Sequence, residues 1–97
     1  MSEQKIQSSI IKYLEKEGHY VVKIMASSKA GVPDILVCFK GQFVGIEVKR
    51  PETRANTSEL QKWNLDKIAE CGGSSMVACS VQEVKDELCK YYLNKHI

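Results

Sequence analysis

Residues 31–51, GVPDILVCFKGQFVGIEVKRP, contain two strand-like runs, Asp34–Lys40 and Phe43–Lys49, on either side of Gly41-Gln42. β-Branched and aromatic residues fill both runs, and glycine supplies the positive φ that a two-residue hairpin turn needs. With Gly41 and Gln42 as the turn, Asp34 faces Lys49 and Leu36 faces Glu47. Side chains alternate between the two faces of a strand, and directly opposed residues share a face. One face then carries Ile35, Val37, Phe39, Val44, Ile46 and Val48, all apolar, and is the core side. The other carries Asp34, Leu36, Cys38, Phe43, Gly45, Glu47 and Lys49. A loop one residue longer would mix the two sets.

Two carboxylates and an ammonium thus converge at one end of the hairpin. Close carboxylates repel, and a pair of them usually has a compensating cation. Lys49 could serve alone, as in a surface salt bridge. A divalent cation would serve better, because Mg²⁺ and Mn²⁺ prefer carboxylate, carbonyl and water oxygens. The Val48 backbone carbonyl is placed to be a third ligand. Three features favour the second reading. Gly31, Val32 and Pro33 fix the approach to Asp34. The loop Ala26–Val32 is rich in small residues and leaves room for a substrate. Lys23, Lys29, Arg50 and Arg54 surround the site with positive charge.

Outward from the hairpin, the N-terminal side reads as a helix from a Ser2 cap to about Gly18, with Ile6, Ile10, Tyr13 and Leu14 on one face. A strand over His19–Met25 follows. On the C-terminal side, Arg50–Thr57 is a polar loop in which Pro51 blocks strand continuation. Ser58 and Gln61 have capping-box spacing at the start of a second helix, which Gly72-Gly73 ends. Ser75–Cys79 reads as a strand. Ser80 and Glu83 make another capping box, opening a helix with Val81, Val84, Leu88 and Tyr91 on one side. The predicted order is αβββαβα, an α/β fold with a mixed central sheet flanked by helices.

Bulk composition constrains less. The 97 residues suffice for one domain, 1–97. A net charge of +2 neither demands nor excludes a nucleic-acid partner. The four cysteines lack zinc-ribbon spacing. Cys38 and Cys79 sit in apolar runs and read as buried reduced thiols. No stretch approaches a membrane span, so the expected location is cytoplasmic. Trp63, at a helical position, reads as a core or interface residue ahead of a base-stacking platform, and Tyr91 and Tyr92 read as packing residues.

Pro33-Asp34 and Glu47-Val48-Lys49, with twelve residues between them, resemble the two elements of the PD-(D/E)XK nuclease superfamily. The blocks Gly31–Asp34, Glu47–Pro51 and Ser58–Gln61 resemble the VRR-NUC family more narrowly. Small stand-alone members of that family occur in bacteriophages, whose proteins work in the host cytoplasm. The resemblance implies a restriction-endonuclease-like αβββαβ core with a C-terminal helix, and hydrolysis of DNA phosphodiester bonds. It implies Asp34 and Glu47 as ligands of Mg²⁺ or Mn²⁺ with the Val48 carbonyl, and Lys49 and Gln61 as further catalytic residues. Related nucleases often place an acidic group on the first helix. Here the aligned position holds Gln7, and Glu3 lies one turn before it, so either completes the site.

Lys23, Ser27, Ser28, Lys29, Arg50, Arg54 and Lys62 are the candidates for phosphate contacts. No arm for reading base edges is visible, so the expected activity is structure-selective, on branched DNA such as Holliday junctions or flaps. The resemblance to junction resolvases implies a homodimer, which sets two sites on a two-fold substrate. The competing reading is a non-catalytic nucleic-acid-binding module of the same fold. Intact Asp34, Glu47 and Lys49 argue against it.

Overall fold

The computed structural model describes residues 1–96. Helix α1 spans Glu3–Lys16, and strands β1, β2 and β3 span Tyr20–Lys23, Ile35–Phe39 and Gln42–Val48. A 3-10 segment, Pro51–Asn56, leads to α2 at Glu59–Glu70. Strand β4 at Ser74–Ala78 and helix α3 at Val81–His96 complete the order. The sheet runs β1-β2-β3-β4. The first two pairings are antiparallel, and β3 pairs with β4 in parallel. Helix α2 supplies the crossover that a parallel pair needs. The α/β order expected from the sequence is the one observed.

The hairpin register differs from the expected one. Ile35 pairs with Ile46 and Phe39 with Gln42, so the turn residues are Lys40 and Gly41. Both have positive φ, 49° and 81°, as a two-residue primed turn requires. Lysine tolerates the left-handed region well enough here that Gln42 is released into β3, where its side chain accepts a 2.7 Å hydrogen bond from the Tyr91 hydroxyl. The turn moves by one residue and the pairing by two, Ile35 facing Ile46 in place of Val48, so parity is unchanged and both faces keep their members. The opposed pairs do change. Leu36 faces Gly45 rather than Glu47. The next position places Asp34 against Glu47 rather than Lys49.

The apolar face of the hairpin is the core. Ile35, Val37, Phe39, Val44, Ile46 and Val48 are buried against Ile6, Ile10 and Leu14 of α1 and Val84 and Leu88 of α3. Ser2 caps α1 by accepting from Lys5 N at 3.2 Å. At α3, Ser80 accepts from Glu83 N at 3.2 Å, but the Glu83 carboxylate bonds to Cys79 N and Arg54 instead of closing a capping box. The segment expected as a loop after Pro51 is 3-10, because proline at its start presets a helical φ.

Helix α2 packs on the other face. A Cβ on Gly45 would lie 2.7 Å from Ile68 Cδ1 and 3.0 Å from Pro33 Cγ, so glycine is what admits the helix. Helix α2 leaves the turn end of that face open, which is why Cys38 is exposed rather than buried with Cys79. Trp63 is 51% exposed, so of the two packing roles expected of it the core one is not observed. Among the described residues no helix is long and apolar enough to cross a membrane.

Candidate active site

The site forms where β2 leaves β3. Beyond Ile35 the ladder stops, and the Asp34 side chain takes over from it: Val48 N donates to Asp34 Oδ2 at 2.8 Å. Within an extended residue the N–H and C=O point to the same side, so the Val48 carbonyl also faces the gap that β2 leaves. Asp34 is held from behind by its own carbonyl, which accepts from Ile24 N at 2.8 Å, and by buried Pro33. Upstream, Gly31 adopts φ 78° against α2, where a Cβ would meet Leu60 at 2.8 Å. Asn64 Nδ2 clasps the same loop by donating to the Ala30 carbonyl at 3.0 Å.

Glu47 is 3% exposed. Burial and the nearby Asp34 carboxylate push its pKa up to about 8, against the opposing pull of Lys49. The Asp34 hydrogen bond and the Glu3 charge push the same way. Lys49 Nζ stands 3.8 Å from Glu47 Oε2. Gln61 Nε2 donates to the same oxygen at 3.0 Å. Both roles weighed for Gln61 hold at once, since its Oε1 accepts from Ser58 N and its own N–H is capped by Ser58 Oγ.

On α1, Gln7 is buried and its Oε1 has no hydrogen-bond partner among the described residues. A buried carbonyl without a partner is costly, and this one lies on the helix whose Glu3 acts on Glu47. Among the described residues no three acidic, histidine or cysteine side chains gather into a cluster. The candidate donors are therefore the two carboxylates and the Val48 carbonyl, with the orphaned amide oxygen of Gln7 on the neighbouring helix. That set of hard oxygens fits a small divalent cation that retains several waters, such as Mg²⁺ or Mn²⁺.

The basic residues divide. Lys23, Ser27, Ser28 and Lys29 lie on exposed backbone leading into Asp34. Arg50 lies 3.5 Å from Glu52 and Lys62 3.4 Å from Glu59, both in exposed pairs. Arg54 is committed elsewhere. Its guanidinium bonds both oxygens of Glu83, at 2.6 and 3.1 Å, and the Val77 carbonyl at 3.0 Å. Glu83 answers with a lowered pKa, chiefly through that contact. Arg54 thus ties the 3-10 segment to β4 and α3. Sequence reasoning missed Asn64, although it follows Gln61 by one helical turn and so shares its face.

A four-stranded mixed sheet flanked by helices, with paired carboxylates where two strands part, defines a nuclease of the restriction-endonuclease-like fold. The family model for the archaeal Holliday junction resolvase (Hjc) matches residues 4–95, and the chain belongs to that family. A solved structure titled "VRR_NUC domain" is 26% identical with a TM-score of 0.74, over 93% of this chain and 96% of the other. Another, titled "VRR_NUC domain protein", is 19% identical with the same TM-score, over 94% of this chain and 88% of that one, and shares the fold. Among curated proteins nothing matches.

Proposed function

We propose that residues 1–97 act as one divalent-metal-dependent endonuclease domain that cuts branched DNA, such as Holliday junctions or flaps. The observation that carries this reading is Glu47, a buried carboxylate set against Asp34 with too little positive charge to balance the pair. Asp34, Glu47 and the Val48 carbonyl would hold Mg²⁺ or Mn²⁺, with Gln7 as a neutral oxygen donor from α1. When bound, such a cation lowers the pKa of a ligated water and offsets charge building on the phosphate.

The chain's own groups do the rest. Gln61 fixes the orientation of Glu47 Oε2. The Val48 N–H fixes Asp34 Oδ2 and with it the orientation of the carboxylate. Lys49 presents an ammonium beside the carboxylates, where it orients the attacking water and stabilises negative charge on the phosphoryl oxygens. Lys23, Ser27, Ser28, Lys29, Arg50 and Lys62 contact neighbouring phosphates. A homodimer belongs to this reading, since two copies would set two sites on a two-fold junction. Half-exposed Leu93 on α3 is available to it.

The test is cleavage of a junction, a flap, a duplex and a single strand with Mg²⁺ or Mn²⁺, using the wild type and Lys49→Ala in parallel. Preferential cutting of branched DNA by the wild type alone is the expected result. Binding without cutting under either metal refutes the reading in favour of a non-catalytic module.

A further inference from the structure

One turn along α2 from Gln61 lies a cavity that the catalytic groups do not use. It has a volume of about 390 Å³ and is lined by Lys29, Phe43, Trp63, Asn64, Lys67 and Ile68, among others. That volume lies within the roughly 300–1,000 Å³ of small-ligand sites. Its only charged lining groups are the two lysines. Among the described residues no carboxylate pairs with either of them. The Trp63 ring is half exposed, as is Phe43. The Lys29 ammonium rests 6.0 Å from the Trp63 ring centroid, at the outer limit of a cation–π contact, so little holds it there.

We infer that this cavity is a subsite for an unpaired nucleotide next to the scissile phosphate. The base would stack on Trp63, and its flanking phosphates would meet Lys29 and Lys67. Three observations select this occupant. Aromatic faces between cations are the chemistry by which proteins hold single strands without reading sequence. The absence of lining carboxylates suits a polyanion and would leave a second copy of this lysine-edged surface facing like charge. The spacing also fits. Asn64 and Lys67 lie three and six residues beyond Gln61, about 4.5 and 9 Å along a helix. At roughly 3.4 Å or more per nucleotide, that is one to three nucleotides from the Glu47 centre. The loop that carries Lys29 runs through Gly31 into Asp34, so the subsite and the carboxylates share one support. The inference rests on the nuclease reading and extends it, because a branch point or flap offers an unpaired nucleotide and a plain duplex does not.

Trp63 is the chain's single tryptophan, so its fluorescence reports on this cavity alone. A short oligothymidylate, titrated into the full-length protein with EDTA present, should quench it saturably, and added salt should weaken the effect. Trp63→Ala should weaken oligothymidylate binding, measured by anisotropy, about tenfold or more, and paired duplex by less. Trp63→Phe should bind like the wild type, and Lys67→Ala should flatten the salt dependence. No quench, or wild-type affinity in Trp63→Ala, overturns the inference. So does a fluorescence change that follows protein concentration alone, which would mean that a second copy covers the cavity. Junction cleavage by the same wild-type preparation separates the two claims. Cutting without quenching sinks the subsite only, and quenching without cutting sinks the nuclease only.

Discussion

Gln61 Nε2 donates to Glu47 Oε2 at 3.0 Å, while Gln61 Oε1 accepts from the Ser58 N–H at 2.9 Å. One side chain therefore starts a helix and orients a buried carboxylate. The two roles separate by substitution. In Gln61→Glu the cap survives, because a carboxylate also closes a capping box. The donor facing Glu47 is lost, and a like charge replaces it wherever Glu47 is ionised, as a metal ligand would be. Thermal stability should fall by less than about 1 kcal/mol at pH 6, while cleavage should fall at least about tenfold. Equal losses in Gln61→Glu and Gln61→Ala, on stability and activity alike, would show capping to be its whole contribution.

Glu47 makes the metal-free protein pH-sensitive. Its pKa is about 8 in the fold, against 4.5 for a free glutamate. Between these values the unfolded chain has released the proton and the folded chain retains it. The unfolded state binds fewer protons there, so stability falls as pH rises from 4.5 to 8 and levels off above. Glu47→Gln removes this loss. In EDTA the variant should melt higher than the wild type at pH 8, by an amount on the order of 2–4 kcal/mol, with the gap closing near pH 4.5. Mg²⁺ or Mn²⁺ should raise the wild-type midpoint at pH 8 and leave the variant unmoved. A gap that does not change with pH contradicts the assignment.

Lys49→Ala removes the one cation that, among the described residues, acts directly on Glu47. Cleavage of a junction should drop by about 10²–10³-fold, with Mn²⁺ affinity, measured by calorimetry, changed far less. Retained cutting in this variant would assign the ammonium to charge balance alone.

Two glycines should respond differently to alanine. At Gly45 the new Cβ meets the far end of the Ile68 side chain at 2.7 Å, which Ile68→Val can relieve. The single variant should lose roughly 1–3 kcal/mol, partly restored in the double variant. At Gly31 the obstruction includes Leu60 backbone at 3.0 Å, and φ is 78°. Trimming Leu60 should not rescue it. Denaturant melts of the four proteins decide the point.

Arg54 should behave as a structural residue. Arg54→Ala should lose about 0.5–1 kcal/mol, reduced by solvent screening at this exposed pair. It should leave the salt dependence of DNA binding unaltered, whereas a phosphate contact would reduce the slope by about one.

The order of elements was legible because the apolar positions of the hairpin sort cleanly by parity, and parity survives a shift of one residue in each strand. The register itself was not legible, because two adjacent pairs, Lys40-Gly41 and Gly41-Gln42, both contain the glycine a turn needs. Only the φ of Lys40 distinguishes them. The Gln61 contact could be anticipated from its spacing to Ser58. The commitment of Arg54 to Glu83 could not, because it joins groups 29 residues apart across a crossover. The exposure of Trp63 was not legible, because helical spacing marks a face without saying whether a neighbour covers it.

The Lys40-Gly41 turn has a consequence for the order in which the molecule assembles. Asp34 and Glu47 are only thirteen positions apart, and hairpins close in about 1–10 μs, before distant segments dock. Their like charges are thus brought together while Gln61 is still remote. Repulsion between them burdens the folding barrier more than the unfolding one. A divalent ion, or acid, should accordingly speed refolding in stopped-flow mixing and hardly touch the unfolding rate. On that expectation the hairpin that builds the candidate site also sets a kinetic bottleneck of self-assembly, relieved by the same cation that the site is proposed to hold.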